Sequence, residues 1–247
     1  MISAIIVSYN TKDLLKKCLQ SLQKQKDVSC EIIVIDNNSQ DNSVAMVAKD
    51  FPKVILMQNK INGGFAKAVN QGINKARGEY ILLINPDMLV PKDSLIKMKK
   101  ILDENKDISL LGAKLVYPNG KVQASVGKFP ALLPNLATKL HLSDIINYGR
   151  YYKPRYKKLT KVDWVSGGFL MFKKNLIDKI GLWDEKYFLY MEDVDFCQRA
   201  ADAGLHAAFT PDVSVLHYHM QSTRKNPKKA QEEEKKSRAY YYRKFKK

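Results

Sequence analysis

Apolar residues along the first hundred positions alternate between two periods. Four short, nearly continuous apolar runs, Ile2–Val7, Glu31–Asp36, Lys53–Gln58 and Tyr80–Asn85, read as buried strands. Between them the spacing is helical. Leu14, Leu15, Cys18, Leu19 and Leu22 define a helix over Lys12–Lys26 with Thr11 placed to cap it, Asp41–Asp50 predicts a second, and a third runs from Gly63-Gly64 to about Ala76. Strands alternating with helices predict right-handed crossovers and a mostly parallel central sheet flanked by helices, an α/β fold.

The pattern loosens beyond the next helix, Lys92–Asn105. Pro118-Asn119-Gly120 marks a turn between two strands, and Phe129–Leu159, which contains Pro130, Pro134 and Pro154, reads as an irregular insertion. Val162–Phe172 reads as a strand interrupted by Gly167-Gly168, followed by a helix over Glu192–Ala203, a strand over Val213–His217 and a charged helix over Lys228–Phe245. The expected organisation is one domain over residues 1–223 and a basic aromatic tail over 224–247.

A chain of 247 residues, 45% of them hydrophobic, can bury a sizeable core, which excludes wholesale disorder. Cys18, Cys30 and Cys197 offer neither an even count nor C-x-x-C spacing, which excludes a disulfide scaffold and a cysteine-built zinc site. No apolar run approaches the roughly 18 residues of a membrane-spanning helix. The opening Ile2-Ser3-Ala4 lacks the basic stretch of a signal peptide, so a cytoplasmic protein is expected.

Charge adds information about partners. The formal charge of +17 is concentrated in two segments. Tyr148–Lys161 holds six basic residues and no acidic one, and Arg224–Lys247 holds eleven against Glu232, Glu233 and Glu234. Both carry aromatics, Tyr148, Tyr151, Tyr152 and Tyr156 in the first and Tyr240, Tyr241, Tyr242 and Phe245 in the second. Lys and Arg beside Tyr suit an anionic membrane surface, and also fit a solvated face or stacking on nucleic acid.

In open parallel sheets ligands bind outside the carboxyl ends of the strands, and polar candidates gather there. Ser8, Tyr9 and Asn10 follow the first strand. Asp36 ends the second, before Asn37-Asn38-Ser39, and Asn85-Pro86-Asp87 ends the fourth. Gly63-Gly64 opens a helix whose free N–H groups and dipole favour a phosphate. The absence of G-x-G-x-x-G after the first strand and of G-x-x-x-x-G-K-[ST] argues against a Rossmann dinucleotide enzyme and a P-loop ATPase. Asp87 fits a divalent ion on a diphosphate, which needs few protein ligands, and equally fits an ordinary turn.

The densest acidic cluster is Asp184–Asp195. Glu192, Asp193 and Asp195 suit a helix start, where the dipole favours them. Asp193 lies between two acidic neighbours whose charges raise its pKa, which also fits a general base. Gly167-Gly168 inside an apolar strand marks a bulge or a close backbone approach. His217 and His219, two positions apart, fit structural histidines or neutral metal ligands.

In this order the pieces resemble the inverting family 2 glycosyltransferases of the GT-A fold, within them the rhamnosyltransferase-like branch that acts on lipid-linked sugars. The resemblance is carried by AIIVSYN at Ala4–Asn10, VIDNNSQDNS at Val34–Ser43, NGGFAKAVNQGI at Asn62–Ile73 and LLINPDMLV at Leu82–Val90. It continues through VSGGFLMF at Val165–Phe172, GLWDEKYFLYMEDVDFCQRA at Gly181–Ala200 and HYHMQST at His217–Thr223.

The resemblance implies a nucleotide-sugar-binding half over 1–90 and an acceptor-binding half over 91–223. Ser8, Tyr9, Asn10, Asp36 and Asn38 would hold the donor's pyrimidine nucleoside, with Asn62, Gly63, Gly64, Phe65 and Asn70 lining the nucleotide pocket. Asp87 matches the metal-binding end of the family's D-x-D motif, and Asn85 stands at its first position. His217 matches a histidine near diphosphate and metal, with His219 an unmatched extra, so Mg²⁺ or Mn²⁺ is the implied cofactor. Asp193 matches the catalytic base, Glu192 would position the acceptor, and Gly167, Gly168 and Trp183 would line the acceptor side. The implied donor is dTDP-rhamnose, with a UDP-sugar as the alternative. The implied acceptor is a polyprenyl-diphosphate-linked glycan of bacterial cell-surface polysaccharide synthesis, reached by peripheral docking on the inner face of the membrane. A nucleotidyltransferase would carry a basic glycine-rich loop at Ser8–Thr11, and a nucleic-acid-binding module gives no reason for Asp87 or Asp193.

Overall fold

In a computed structural model, residues 1–130, 151, 152, 154, 156–218 and 227–245 are described. The first half alternates as expected: β1 (Ile2–Ser8), α1 (Lys12–Gln23), β2 (Cys30–Asp36), α2 (Ser43–Asp50), β3 (Ile55–Gln58), α3 (Phe65–Lys75) and β4 (Tyr80–Ile84). The second half comprises β5 (Met88–Leu89), α4 (Ser94–Glu104), β6 (Ile108–Val116), β7 (Val126–Gly127), β8 (Tyr151–Tyr152), β9 (Thr160–Val162), β10 (Trp164–Val165), β11 (Phe169–Lys173), α5 (Leu176–Ile180), α6 (Glu192–Asp202), β12 (His206–His217) and α7 (Pro227–Lys244).

One nine-stranded sheet runs through both halves in the order β3-β2-β1-β4-β11-β6-β12-β5, with β9 also paired to β12. The pairings set β1, β2, β3, β4, β6 and β12 in one direction, and β11, β5 and β9 against them. A small antiparallel sheet, β10-β7-β8, stands beside it.

Continuous apolar runs arise because both faces of the sheet are covered. Ile2, Ala4, Ile6, Ile32, Val34, Leu82 and Ile84 pack on one side with α1, α2 and α4. Ile5, Ile33, Ile35, Ile81 and Leu83 pack on the other with α3, α6 and α7. Each fully buried Ile, Val or Leu among them contributes about 1.5–3 kcal/mol.

Four local expectations are corrected. Thr11 makes no side-chain cap; its hydroxyl lies 3.2 Å from that of Ser8, and Asp41 accepts from the Lys12 amide instead. Val162–Phe172 is not one strand. Asp163 turns aside to accept the Phe129 amide, β10 leaves for the small sheet, and only β11 stays in the main one. β12 begins at His206, well before Val213, because the strand passes Pro211 by a register shift between Thr210 and Ser214. Within the segment read as irregular, the described part includes β8 paired to β7.

The charged C-terminal helix is present as expected, and the fold adds how it packs. From Pro227 to Lys244 it is a helix docked on the body, with Tyr241 buried and donating to Gln198 Oε1 at 3.0 Å. Tyr240 donates to Asp184 at 2.9 Å.

Candidate active site

The parallel strands bring Ser8, Asp36, Asn85 and His217 to one pole of the sheet. β11 runs the opposite way, so its beginning, Gly167-Gly168, arrives at that pole as well: Phe169 pairs with Ile84 and the Asn85 amide donates to Gly168 O at 2.9 Å.

Asp87 and His217 meet here, both buried. His217 Nε2 lies 3.2 Å from Asp87 Oδ1. Two-residue β5 sets this up by pairing Met88 with His217, and the Tyr218 amide donates to Asp87 O at 3.0 Å. Gln123 orients the ring. Its Nε2 donates to His217 O at 2.7 Å, so its Oε1, 2.8 Å from Nδ1, must accept the Nδ1 proton. Nε2 is then the ring atom that faces the Asp87 carboxylate. With its lone pair free, that nitrogen and Asp87 Oδ1 would together hold a shared cation. Among the described residues no group of three His, Cys, Asp or Glu side chains could hold a metal. His219 lies outside the described residues.

Asp193 sits on the first turn of α6, buried, with Oδ2 accepting the Gly167 amide at 3.0 Å and Oδ1 accepting the Val194 amide at 2.9 Å. Gly167 lies tight against this site: a Cβ there would stand 3.3 Å from that of Asp193 and 3.2 Å from the Trp183 ring. Glu192 is buried beside it, and its Oε2 has no hydrogen-bond partner. Burial first, and the Asp193 charge second, push the Glu192 carboxyl well above the usual range. Glu192 thus holds its proton tightly beside the carboxylate of Asp193. The turn into α6 passes through Tyr190 and Met191 at φ 67° and 68°, a left-handed pair that only surrounding contacts sustain.

On the expected donor side, the loops after β1 and β2 are laced together. The Asn10 amide donates to Ser39 Oγ at 2.8 Å, Gln40 donates to Asn10 Oδ1 at 2.7 Å, and Asn38 accepts from the Gln40 side chain at 3.2 Å. Tyr9 is exposed on this rim. Asp36 is fully buried; Oδ1 accepts the Ser39 amide at 2.8 Å and Oδ2 has no partner.

At Gly63-Gly64, the expected phosphate site, two amides are engaged within the protein. Gly64 N donates to Asn62 Oδ1 at 3.0 Å, and Phe65 N donates to Phe188 O at 2.8 Å. This end of α3 therefore docks the acidic loop. Asn70 is likewise a strut: its amide donates to Trp183 O and Glu185, and its Oδ1 accepts the Trp183 amide, so its polar atoms are spent inside the protein. Trp183 stacks on Phe196 at 4.8 Å, buried, with its indole N–H unpartnered. Gln123, Asn59 and Gln71 went unread in the sequence; Gln123 reaches His217 from 94 positions away, and Asn59 joins Asn37 to Gln71 outside any quoted motif.

The chain matches the family model described as Glycosyl transferase family 2 over residues 3–181. It is 26% identical to the N-acetylglucosaminyl-diphospho-decaprenol L-rhamnosyltransferase of Mycobacterium tuberculosis, across 92% of this chain and 79% of that protein. It is 28% identical to rhamnosyltransferase WbbL of Escherichia coli, across 91% of this chain and 86% of that protein. In fold it is similar to the mannosyltransferase PcManGT from Pyrobaculum calidifontis, solved in complex with GDP-Man and Mn²⁺, at a TM-score of 0.59 and 18% identity, across 88% of this chain and 56% of that one. The sheet and its helices are the GT-A fold, and the chain belongs to glycosyl transferase family 2.

Proposed function

We propose that this glycosyltransferase moves a sugar, rhamnose from dTDP-rhamnose, onto a hydroxyl of a polyprenyl-diphosphate-linked glycan with inversion. The observation that carries the reading is the pair of consecutive glycine peptides joining the two chemical centres. Gly167 N–H holds Asp193, and Gly168 C=O holds Asn85, two residues before Asp87. Base and leaving-group side thus share one rigid support, as a single displacement requires.

An acceptor hydroxyl is a weak nucleophile at neutral pH, and Asp193 takes its proton as it attacks the anomeric carbon. A divalent ion, Mg²⁺ or Mn²⁺, would be held by Asp87 and His217 and would supply positive charge to the departing diphosphate. Asp36 Oδ2, a buried acceptor without a partner, suits the imide N–H of thymine or uracil. Glu192 Oε2 and the Trp183 N–H, also buried and unpartnered, suit sugar hydroxyls on the acceptor side. The two relatives named as rhamnosyltransferases support the sugar, and the name of the mycobacterial one supports the lipid-linked acceptor.

Among the described residues no helix is long and apolar enough to cross a membrane. Contact with an anionic surface is assigned to the exposed Lys228, Lys235 and Arg243 of α7. Calorimetry with dTDP-rhamnose, UDP-glucose and UDP-N-acetylglucosamine, with and without Mn²⁺, tests the donor. Mn²⁺-dependent binding of dTDP-rhamnose alone is expected, and selective binding of a UDP-sugar would replace the proposed donor.

A further inference from the structure

We propose that Lys244, near the end of α7, is a positioning residue for the catalytic base, its ammonium stapling together the two ends of the segment Asp184–Asp195. The inference rests on the reading of Asp193 as base.

Asp195 has no solvent exposure and accepts from Arg199 Nε at 2.7 Å, Tyr187 OH at 3.2 Å and Lys244 Nζ at 2.5 Å. Lys244 Nζ also donates to Asp184 at 2.7 Å. One cation therefore joins the residue after Trp183 to the residue two beyond Asp193. Everything between them is the loop that delivers the base, including the left-handed Tyr190 and Met191. Such backbone persists only where surroundings over-determine it.

The same helix grips the loop elsewhere, through Ser237 Oγ donating to Leu189 O at 2.8 Å and Tyr240 packed on Tyr187 at 4.9 Å. On the loop's other side Phe188 O accepts the first amide of α3. The segment is thus clamped between α3 and α7, and Lys244 is the α7 cation in the clamp that reaches α6.

Charge gives the staple a second effect. Asp195 is faced by Arg199 from its own helix, Tyr187 from the loop and Lys244 from α7, with Asp184 across the loop and Glu192, Asp193 and Cys197 nearby on α6. Without Lys244, Asp195 keeps Arg199 alone among these cations. The negative field at Asp193 then rises, and its proton is held more tightly.

The test compares Lys244→Met, Lys244→Arg, Asp184→Asn and Asp193→Asn with wild type, using dTDP-rhamnose and a short-chain N-acetylglucosaminyl-diphospho-lipid. Lys244→Met is expected to lower kcat tenfold or more, to leave donor affinity by calorimetry within twofold, and to move the acid limb of the pH–rate profile upward. Lys244→Arg should recover most of the turnover. Asp184→Asn opens the staple at its outer end while leaving Lys244 on Asp195, and should lower kcat severalfold.

A folded Lys244→Met with wild-type kcat and pH profile overturns the proposal, as does one that loses donor binding in proportion to turnover. If Lys244→Met does not fold, wild-type kcat in Asp184→Asn overturns it. An active Asp193→Asn would remove the base reading itself; an inactive one beside a normal Lys244→Met would reject the staple alone.

Discussion

His217 presents Nε2 to Asp87 because Gln123 occupies its other ring nitrogen: Gln123 Oε1 lies 2.8 Å from Nδ1 while Gln123 Nε2 holds the backbone oxygen of the same histidine. Gln123→Met removes both contacts. Orienting partners of this kind are worth 10- to 100-fold in metal affinity. The variant is expected to bind donor about tenfold or more weakly in the presence of Mn²⁺ and little differently without it. Equal affinities with Mn²⁺ would show that the ring needs no such support.

Gly64 adopts φ 91°, and a Cβ there would fall 2.6 Å from Phe188 O and 2.9 Å from Phe188 Cα. Both contacts are backbone, so they cannot swing away. Gly64→Ala is expected to cost about 1–3 kcal/mol of stability and to lower turnover by displacing the acidic loop. A thermal melt matching wild type would contradict this packing.

Glu192 holds its proton more tightly folded than unfolded, through burial first and then the Asp193 charge. Between the ordinary value of 4.5 and the raised one, the folded chain carries more protons, so stability falls as pH rises through that window. Glu192→Gln removes this slope. Its melting temperature should decline less than that of wild type from weakly acidic to neutral pH, while transfer is impaired. Parallel stability curves would rule out a buried carboxyl of raised proton affinity here.

Replacing Lys228, Lys235 and Arg243 by Gln tests surface docking without touching the clamp at Lys244 and Tyr240. Each charge near an anionic surface contributes about 1 kcal/mol at moderate salt. The triple variant is expected to lose most of its binding to phosphatidylglycerol vesicles and to keep its turnover of a short-chain acceptor. Unchanged sedimentation with vesicles would remove α7 as the docking element.

β1, β2 and β4 were legible because both faces of each are buried, which leaves an uninterrupted apolar run, and α1, α3 and α6 because one face of each packs on the sheet. The start of β12 was hidden by Ala207, Ala208 and Pro211, which do not read as strand. Asp87, Asp193 and His217 were named from motif order, but what holds them was not. Gln123 and His217 meet across 94 positions, and Lys244 and Asp195 across 49, with no period to announce either pair. Asp195 read as one more acid on a helix start; its burial among Arg199, Tyr187 and Lys244 is visible only in three dimensions. The docking of the C-terminal helix was hidden for the same reason, since a lysine-rich helix shows its charge in sequence and its docked Tyr241 only in the fold.

The most direct test of the account is turnover by Asp193→Asn, with donor affinity measured on the same preparation. Asparagine keeps the shape and can still accept the Gly167 amide, but it cannot take a proton. General base catalysis contributes roughly 10²- to 10⁴-fold, so kcat should fall by at least about a hundredfold while dTDP-rhamnose binds within twofold of wild type. Near-normal turnover by this variant would contradict the assignment of Asp193 as the base.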